Sequence, residues 1–205
     1  MREGDNIRSV ESLGIDLMGF IFYDKSPRNV IVVPSYLPED CKRVGVFVDS
    51  DISSIVSKIH EFDLDYIQLH GKESAAYIND LRKSIPQNVE VIKCIHLSEA
   101  SDIEKSYAYE TCSDYLLFEN KSKGYGGSGS KFDWGYLSEY KGQLPFLLSG
   151  GIDPGDISSI HEISHPKLAG IDLNSLFEIR PGYKDISLLQ SFINKIRNEQ
   201  NKQAL

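Results

Sequence analysis

Several residue types that can do chemistry stand at one recurring place in this chain, just after a short apolar run. Arg28 follows the run 17–22, LMGFIF. His70 closes 65–70, DYIQLH. Glu119 follows 115–118, YLLF. Ser149, Gly150 and Gly151 follow 145–148, PFLL, and Asp172, Asn174 and Ser175 close and follow the run 168–172. A carboxylate at such a position can give or take a proton, an imidazole can do so near neutrality, and a guanidinium presents a planar fork that matches a carboxylate. Glycine backbone lets N–H groups approach an anion closely, and a helix N-terminus adds a favourable dipole. The stretch 118–134, FENKSKGYGGSGSKFDW, combines these features. An acid is followed by a glycine-rich loop holding Gly127 and Gly129, and then by Asp133, which opens a helix. Each residue also has a plain alternative. Arg28 could pair with Asp24 at the surface, His70 could be only a hydrogen-bonded polar residue, Glu119 could merely end a strand, and the glycines could be connections. The shared position of all of them is what argues for a site.

The elements that must hold these residues alternate. A helix begins after Asp5 or Asn6 and carries Ile7, Val10 and Leu13 at helical spacing, with Gly14 as its stop. Strands are expected at 17–22, 43–48, 65–70, 89–95, 114–118, 145–148 and 168–172. Helices are expected after Asp51, at 74–84, from Ser98 to Tyr109, from Asp133 to Tyr140, from Asp153-Pro154, and at 186–196. Strand then helix, every 20 to 30 residues, with mostly apolar strands, argues a parallel sheet covered by helices. Seven strands are visible. An eight-fold (β/α) barrel needs one more before the first helix, so the pattern fits either an open doubly wound sheet or a barrel without its first strand. In DYIQLH, Gln68 and His70 share one face and Ile67 and Leu69 the other. A polar barrel mouth suits that division, whereas helices on both faces would bury both polar groups. In a barrel, loops after the last two strands and a short helix N-terminus, here 174–178, form the usual phosphate site.

The chain has 205 residues, 40% hydrophobic and 25% charged, which reads as one soluble barrel domain over 1–205. A net charge of −8 argues against nucleic-acid binding and means that an anionic ligand must be held by local groups. Cys41, Cys94 and Cys112 are widely spaced and odd in number. They read as reduced thiols of a cytoplasmic protein, with no metal spacing among them. No run approaches the length of a membrane span, and no secretory leader is visible, so no membrane partner is expected.

The segments KSPR, VGVF, DYIQLHG, YGGSG-KFDW, PFLLSGGI-P and LAGIDLNS-FE-PG-KD, in that order, resemble phosphoribosylanthranilate isomerase over residues 1–185. The resemblance implies a TIM (β/α)8 barrel with its first strand absent from this chain. It implies an Amadori rearrangement of N-(5'-phosphoribosyl)anthranilate to the aminoketose, in tryptophan biosynthesis, with no metal and no cofactor. Glu119 would stand at the general-acid position, where the family has an aspartate followed by threonine. Arg28 would hold the anthranilate carboxylate, and His70 would line the substrate site. Gly127, Gly129, Gly150, Gly151, Asn174 and Ser175 would cradle the phosphate, with Asp172 near the ribose hydroxyls. The family's base is a cysteine on a strand just ahead of Met1. Without that strand the chain is expected to fold poorly and to show at most trace activity. The expected partner is a small phosphosugar, and the expected state a monomer. Two rival readings are indoleglycerol-phosphate synthase, which should carry an N-terminal extension over the mouth and an early catalytic lysine, and a non-catalytic phosphosugar-binding relative or partner subunit.

Overall fold

The computed structural model describes residues 1–120 and 133–203. Seven parallel strands form one sheet in sequential order: β1 (Leu17–Phe22), β2 (Lys42–Phe47), β3 (Tyr66–Leu69), β4 (Glu90–Leu97), β5 (Tyr115–Asn120), β6 (Phe146–Leu148) and β7 (Leu168–Ile171). Sequential parallel order with a crossover between neighbours is the winding of a (β/α) barrel. An open doubly wound sheet reverses its strand order at a switch point, and this sheet does not. Among the described residues β1 and β7 do not pair with each other, so the sheet is open along one seam.

Strand parity divides the core. Leu17, Gly19 and Ile21 of β1, Val44 and Val46 of β2, Gln68 of β3, and Leu117 and Glu119 of β5 line one interior cavity of about 550 Å3. Beneath the mouth of this interior Val44, Ile92, Cys94 and Leu117 pack together. The alternate residues Phe20, Ile67, Val91 and Leu116 are fully buried against the helices. Covering that outer face are α1 (Gly4–Glu11), α2 (Ile52–Phe62), α3 (Ala75–Arg82), α4 (Ile157–His161) and α5 (Ile186–Gln203). Phe62 of α2 meets Phe20 and Phe22 with ring centroids 5.7 and 4.8 Å apart. Burial of each such ring contributes on the order of 2 kcal/mol.

Two helix starts fall where a capping side chain predicts them. The Asp51 carboxylate accepts from Ser54 N at 2.8 Å, and the Ser74 hydroxyl accepts from Tyr77 N at 3.2 Å. Others differ from the sequence expectation. α1 begins before Asp5, so Asn6 is no cap. It is buried inside the helix, where its amide exchanges two hydrogen bonds with the Lys184 backbone, 184 N donating to Oδ1 at 2.8 Å and Nδ2 donating to 184 O at 3.0 Å. The element expected from Ser98 is a 3-10 helix, Ala100–Tyr109, capped by Glu99 through a reciprocal capping box with Asp102. Asp133 does cap, accepting from Gly135 N at 2.9 Å, but the element is again 3-10, Trp134–Glu139. Pro154 lies in a turn, and α4 starts only at Ile157. A small antiparallel pair, β8 (Glu178–Arg180) and β9 (Tyr183–Lys184), turns at Pro181-Gly182 and was not expected. No described helix is long and apolar enough to cross a membrane.

Candidate active site

Every described residue of the predicted site lines the same cavity. Arg28, His70, Glu119, Ser149, Gly150, Gly151, Asp172, Asn174 and Ser175 all open onto it, at the carboxyl ends of the strands. Gly127 and Gly129 lie outside the described residues.

Glu119 points inward from β5. Its Oε2 accepts from His70 Nε2 at 2.8 Å and lies 3.6 Å from His96 Nδ1. His70 directly follows β3, where its backbone N donates to Phe47 O at 2.8 Å, and its ring is oriented by the Gln68 amide, 3.0 Å from Nδ1. Gln68 and His70 therefore share the cavity face, as their parity predicts. Burial alone would push the Glu119 carboxyl up, but the His70 hydrogen bond and the charges of His70 and His96 outweigh it, and its pKa is lowered. Burial opposes charge on His70 as well, yet the neighbouring Cys94 and Glu119 raise it well above the usual imidazole value. The expected proton donor, Glu119, is thus a carboxylate in the resting protein, and the mobile proton sits on His70 beside it.

The loop carrying His70 is fastened from below. Glu73 accepts from Asp49 N at 2.8 Å and Gly71 N at 3.2 Å through Oε1, and from Lys93 Nζ at 2.7 Å through Oε2. The Lys93 and Glu73 side chains are each 2% exposed, and Lys93 also donates to Gly71 O at 2.8 Å.

Arg28 does not pair with Asp24, the plain alternative from sequence. Its Nε and Nη2 grip Glu178 at 2.9 and 2.7 Å, while Asp24 accepts from Asn29. Lys184 Nζ joins the group, 3.4 Å from Glu178 and 2.9 Å from both the Asn174 carbonyl and side-chain oxygens. Burial pushes the Glu178 carboxyl up, but Arg28 and Lys184 outweigh it and hold it low. Burial lowers Lys184, against the pull of Glu178 and Asp172. Asp172 is pushed up by burial, although the Ser149 hydroxyl donates to it at 2.9 Å.

The phosphate-side glycines have the backbone such a role needs. Gly150 and Gly151 have φ of +88° and +71°. The β5–β6 ladder ends with Ser149 N donating to Phe118 O at 2.9 Å, so the next two N–H groups lie beyond the sheet. A Cβ at Gly150 would meet Asn120 N at 2.8 Å and Glu119 Cγ at 2.9 Å, which ties this turn directly to the acid.

Sequence reasoning missed four residues here. Cys94 and His96 repeat on β4 the inward i, i+2 parity of Gln68 and His70, a signal that was present. Glu178 and Lys184 lie 150 and more residues from Arg28, and no local pattern joins them to it.

The chain matches the model of the family described as N-(5'phosphoribosyl)anthranilate (PRA) isomerase over residues 2–195. It is 44% identical over 199 residues to an N-(5'-phosphoribosyl)anthranilate isomerase of Phocaeicola vulgatus, covering 97% of this chain and 96% of the relative. It is 46% identical over 202 residues to the protein of that description from Parabacteroides distasonis, covering 96% and 90%. Among solved structures, a phosphoribosyl anthranilate isomerase in complex with reduced 1-(o-carboxyphenylamino)-1-deoxyribulose 5-phosphate superposes with a TM-score of 0.75. That pair is 27% identical and covers 96% of this chain and 97% of the other.

Proposed function

The chain belongs to the N-(5'-phosphoribosyl)anthranilate isomerase family, and we propose that it carries out the family's rearrangement with the groups gathered at the mouth of its barrel. The activity is an isomerisation in tryptophan biosynthesis. The observation that carries the residue assignment is the Glu119–His70 pair, held in a largely buried pocket beside Gly150 and Asp172.

The aminoaldose is charged at both ends. Its carboxylate goes to Arg28, whose Nη1 is not used on Glu178. Its phosphate goes to the N–H groups of Gly150 and Gly151 and to the Asn174-Ser175 turn, with Gly127 and Gly129 assigned to the same task. Asp172, pushed up by burial, faces the ribose hydroxyls. His70 passes its proton to Glu119, and Glu119 delivers it to the ring oxygen. The C1–O bond breaks as the anthranilate nitrogen lone pair forms the C=N bond of the Schiff base. Loss of the C2 proton then gives the enolamine, which tautomerises to the ketone. The C2 proton leaves from the face of the sugar away from Glu119. By the resemblance its acceptor is the family's cysteine, and both β1 and β7, the edges of the seam, line the same cavity. The substrate is a small phosphosugar, and the protein works as a monomer in the cytoplasm.

Turnover followed by anthranilate fluorescence tests the assignment. Positioned acid catalysis contributes roughly 10²–10⁴-fold. Glu119→Gln should lower kcat by that order with little change in KM, and unchanged kcat would remove Glu119 from the mechanism.

A further inference from the structure

We propose that the mouth of this barrel holds a second site, for a zinc-class divalent ion, built from His70, Cys94, His96 and Glu119. One donor atom from each residue lies within 4.8 Å of the other three. The separations are 2.8 Å from His70 Nε2 to Glu119 Oε2, 3.6 Å from His96 Nδ1 to the same oxygen, and 3.9 Å from Cys94 Sγ to His96 Nδ1. A tetrahedral ion with ligands at about 2.0–2.3 Å needs donors roughly 3.4–3.7 Å apart. These three spacings straddle that range and the remaining ones stay within 4.8 Å, so side-chain shifts on the order of 1 Å would be enough to centre the four atoms on one ion.

The surroundings favour ligation. His96 Nε2 lies 3.1 Å from the His70 carbonyl, and donation there leaves the lone pair of Nδ1 aimed into the cluster. The His70 ring has the Gln68 amide on Nδ1, which presents Nε2 inward, and an amide can offer either its oxygen or its nitrogen to that atom. The two rings stand edge to face, 78° apart, with centroids 5.2 Å apart. Rigid strands supply the donors: adjacent β4 and β5 place His96 directly opposite Glu119 in the ladder. Two imidazoles, a thiolate and a carboxylate form a mixed nitrogen, sulfur and oxygen set that suits zinc or cobalt over magnesium or calcium. A thiolate and a carboxylate also neutralise a divalent charge in the dry interior. Metal spacing was invisible in the sequence because the donors come from β4, β5 and the residue that follows β3.

The site stands on this geometry alone, and only its effect on turnover rests on the reading above. An ion on Glu119 and His70 occupies the proton-transfer pair, so metal and catalysis exclude each other.

The test uses tag-free protein, stripped by chelator and titrated with Co2+. Expected are one equivalent per chain, the visible bands of tetrahedral cobalt, a thiolate-to-cobalt charge-transfer band, and displacement of both by Zn2+. Cys94→Ser should remove the charge-transfer band, and His96→Gln should weaken binding by about tenfold or more. Cys41→Ser should change neither. Absence of a cobalt–thiolate band in the parent, or its persistence in Cys94→Ser, would overturn the site. Circular dichroism of each variant distinguishes lost ligation from lost fold, and His96, whose side chain is 31% exposed, is the safer of the two substitutions. Zn2+ should suppress turnover reversibly by chelator. A cobalt spectrum as expected with no zinc inhibition would uphold the site and fault the Glu119 assignment.

Discussion

Gly150→Ala tests whether the turn after β6 sets the position of the acid. Two costs add. At φ +88° an L side chain is strained by about 1–2 kcal/mol. The new Cβ would also fall 2.8 Å from the backbone nitrogen of Asn120 and 2.9 Å from Glu119 Cγ, closer than such atoms pack, and one of those contacts is backbone that cannot rotate away. Overpacking of this kind costs about 1–3 kcal/mol. For a chain of this size, about 2–5 kcal/mol in total corresponds to a fall in Tm of roughly 4–20 °C. Relief of the contact requires β5 and the turn to move apart, and Glu119 moves with β5. A displacement on the order of 1 Å at a catalytic group costs about a hundredfold in kcat. The assay is paired, thermal unfolding beside anthranilate-fluorescence kinetics relative to the parent chain. Gly14→Ala is the control. It has φ +69° and only Arg197 Nη1 within reach at 3.6 Å, and it neither lines the cavity nor touches Glu119. That variant should lose about 1–2 kcal/mol of stability and no kcat. A Gly150→Ala protein with parental kcat would refute the coupling, whatever its Tm.

Lys93→Met should cost about 3–5 kcal/mol in urea unfolding, because it leaves the Glu73 carboxylate buried without its cation. A loss under 1 kcal/mol would show that the pair is not the support described. Arg28→Ala should raise KM with kcat nearly kept, and should weaken binding of the reduced product analogue. Equal affinity in parent and variant would free Arg28 from the carboxylate role. The His70 imidazole should titrate well above the usual histidine value by NMR, and Glu119→Gln should bring it down. Because the His70 pKa is raised and the Glu119 pKa lowered, the stability this pair provides is fully present between about pH 4.5 and 6.5, is lost as pH climbs through the folded His70 value, and is lost again as pH falls through the folded Glu119 value. A His70 titration at or below the ordinary value would contradict the ion pair.

The barrel was legible because its strands are short, mostly apolar runs, and all seven were found within two residues or so of their observed ends. Their inward parity was legible at Gln68 and His70, and from that the mouth. Helix type was not. Ala100–Tyr109 and Trp134–Glu139 carry capping signals that 3-10 and α-helices share, and the tighter winding is set by tertiary packing. The β8–β9 hairpin was hidden because three- and two-residue strands leave no period to read. The state of the acid was likewise beyond the sequence. Glu119 is one carboxylate in a line of letters, and what fixes its charge is a pair of histidines delivered by two other strands.

Glu73 gathers three separate pieces of chain onto one carboxylate: the turn after β2, the peptide following His70, and an ammonium rising from β4. The imidazole at the rim therefore stands on a fixed post, anchored to the wall of the barrel and not to solvent. Anyone recasting this mouth for a different sugar would find little slack there. Room for adjustment lies instead on the Arg28 side, where the next stretch of chain leaves Ile31 and Val32 about four-fifths exposed and ungripped.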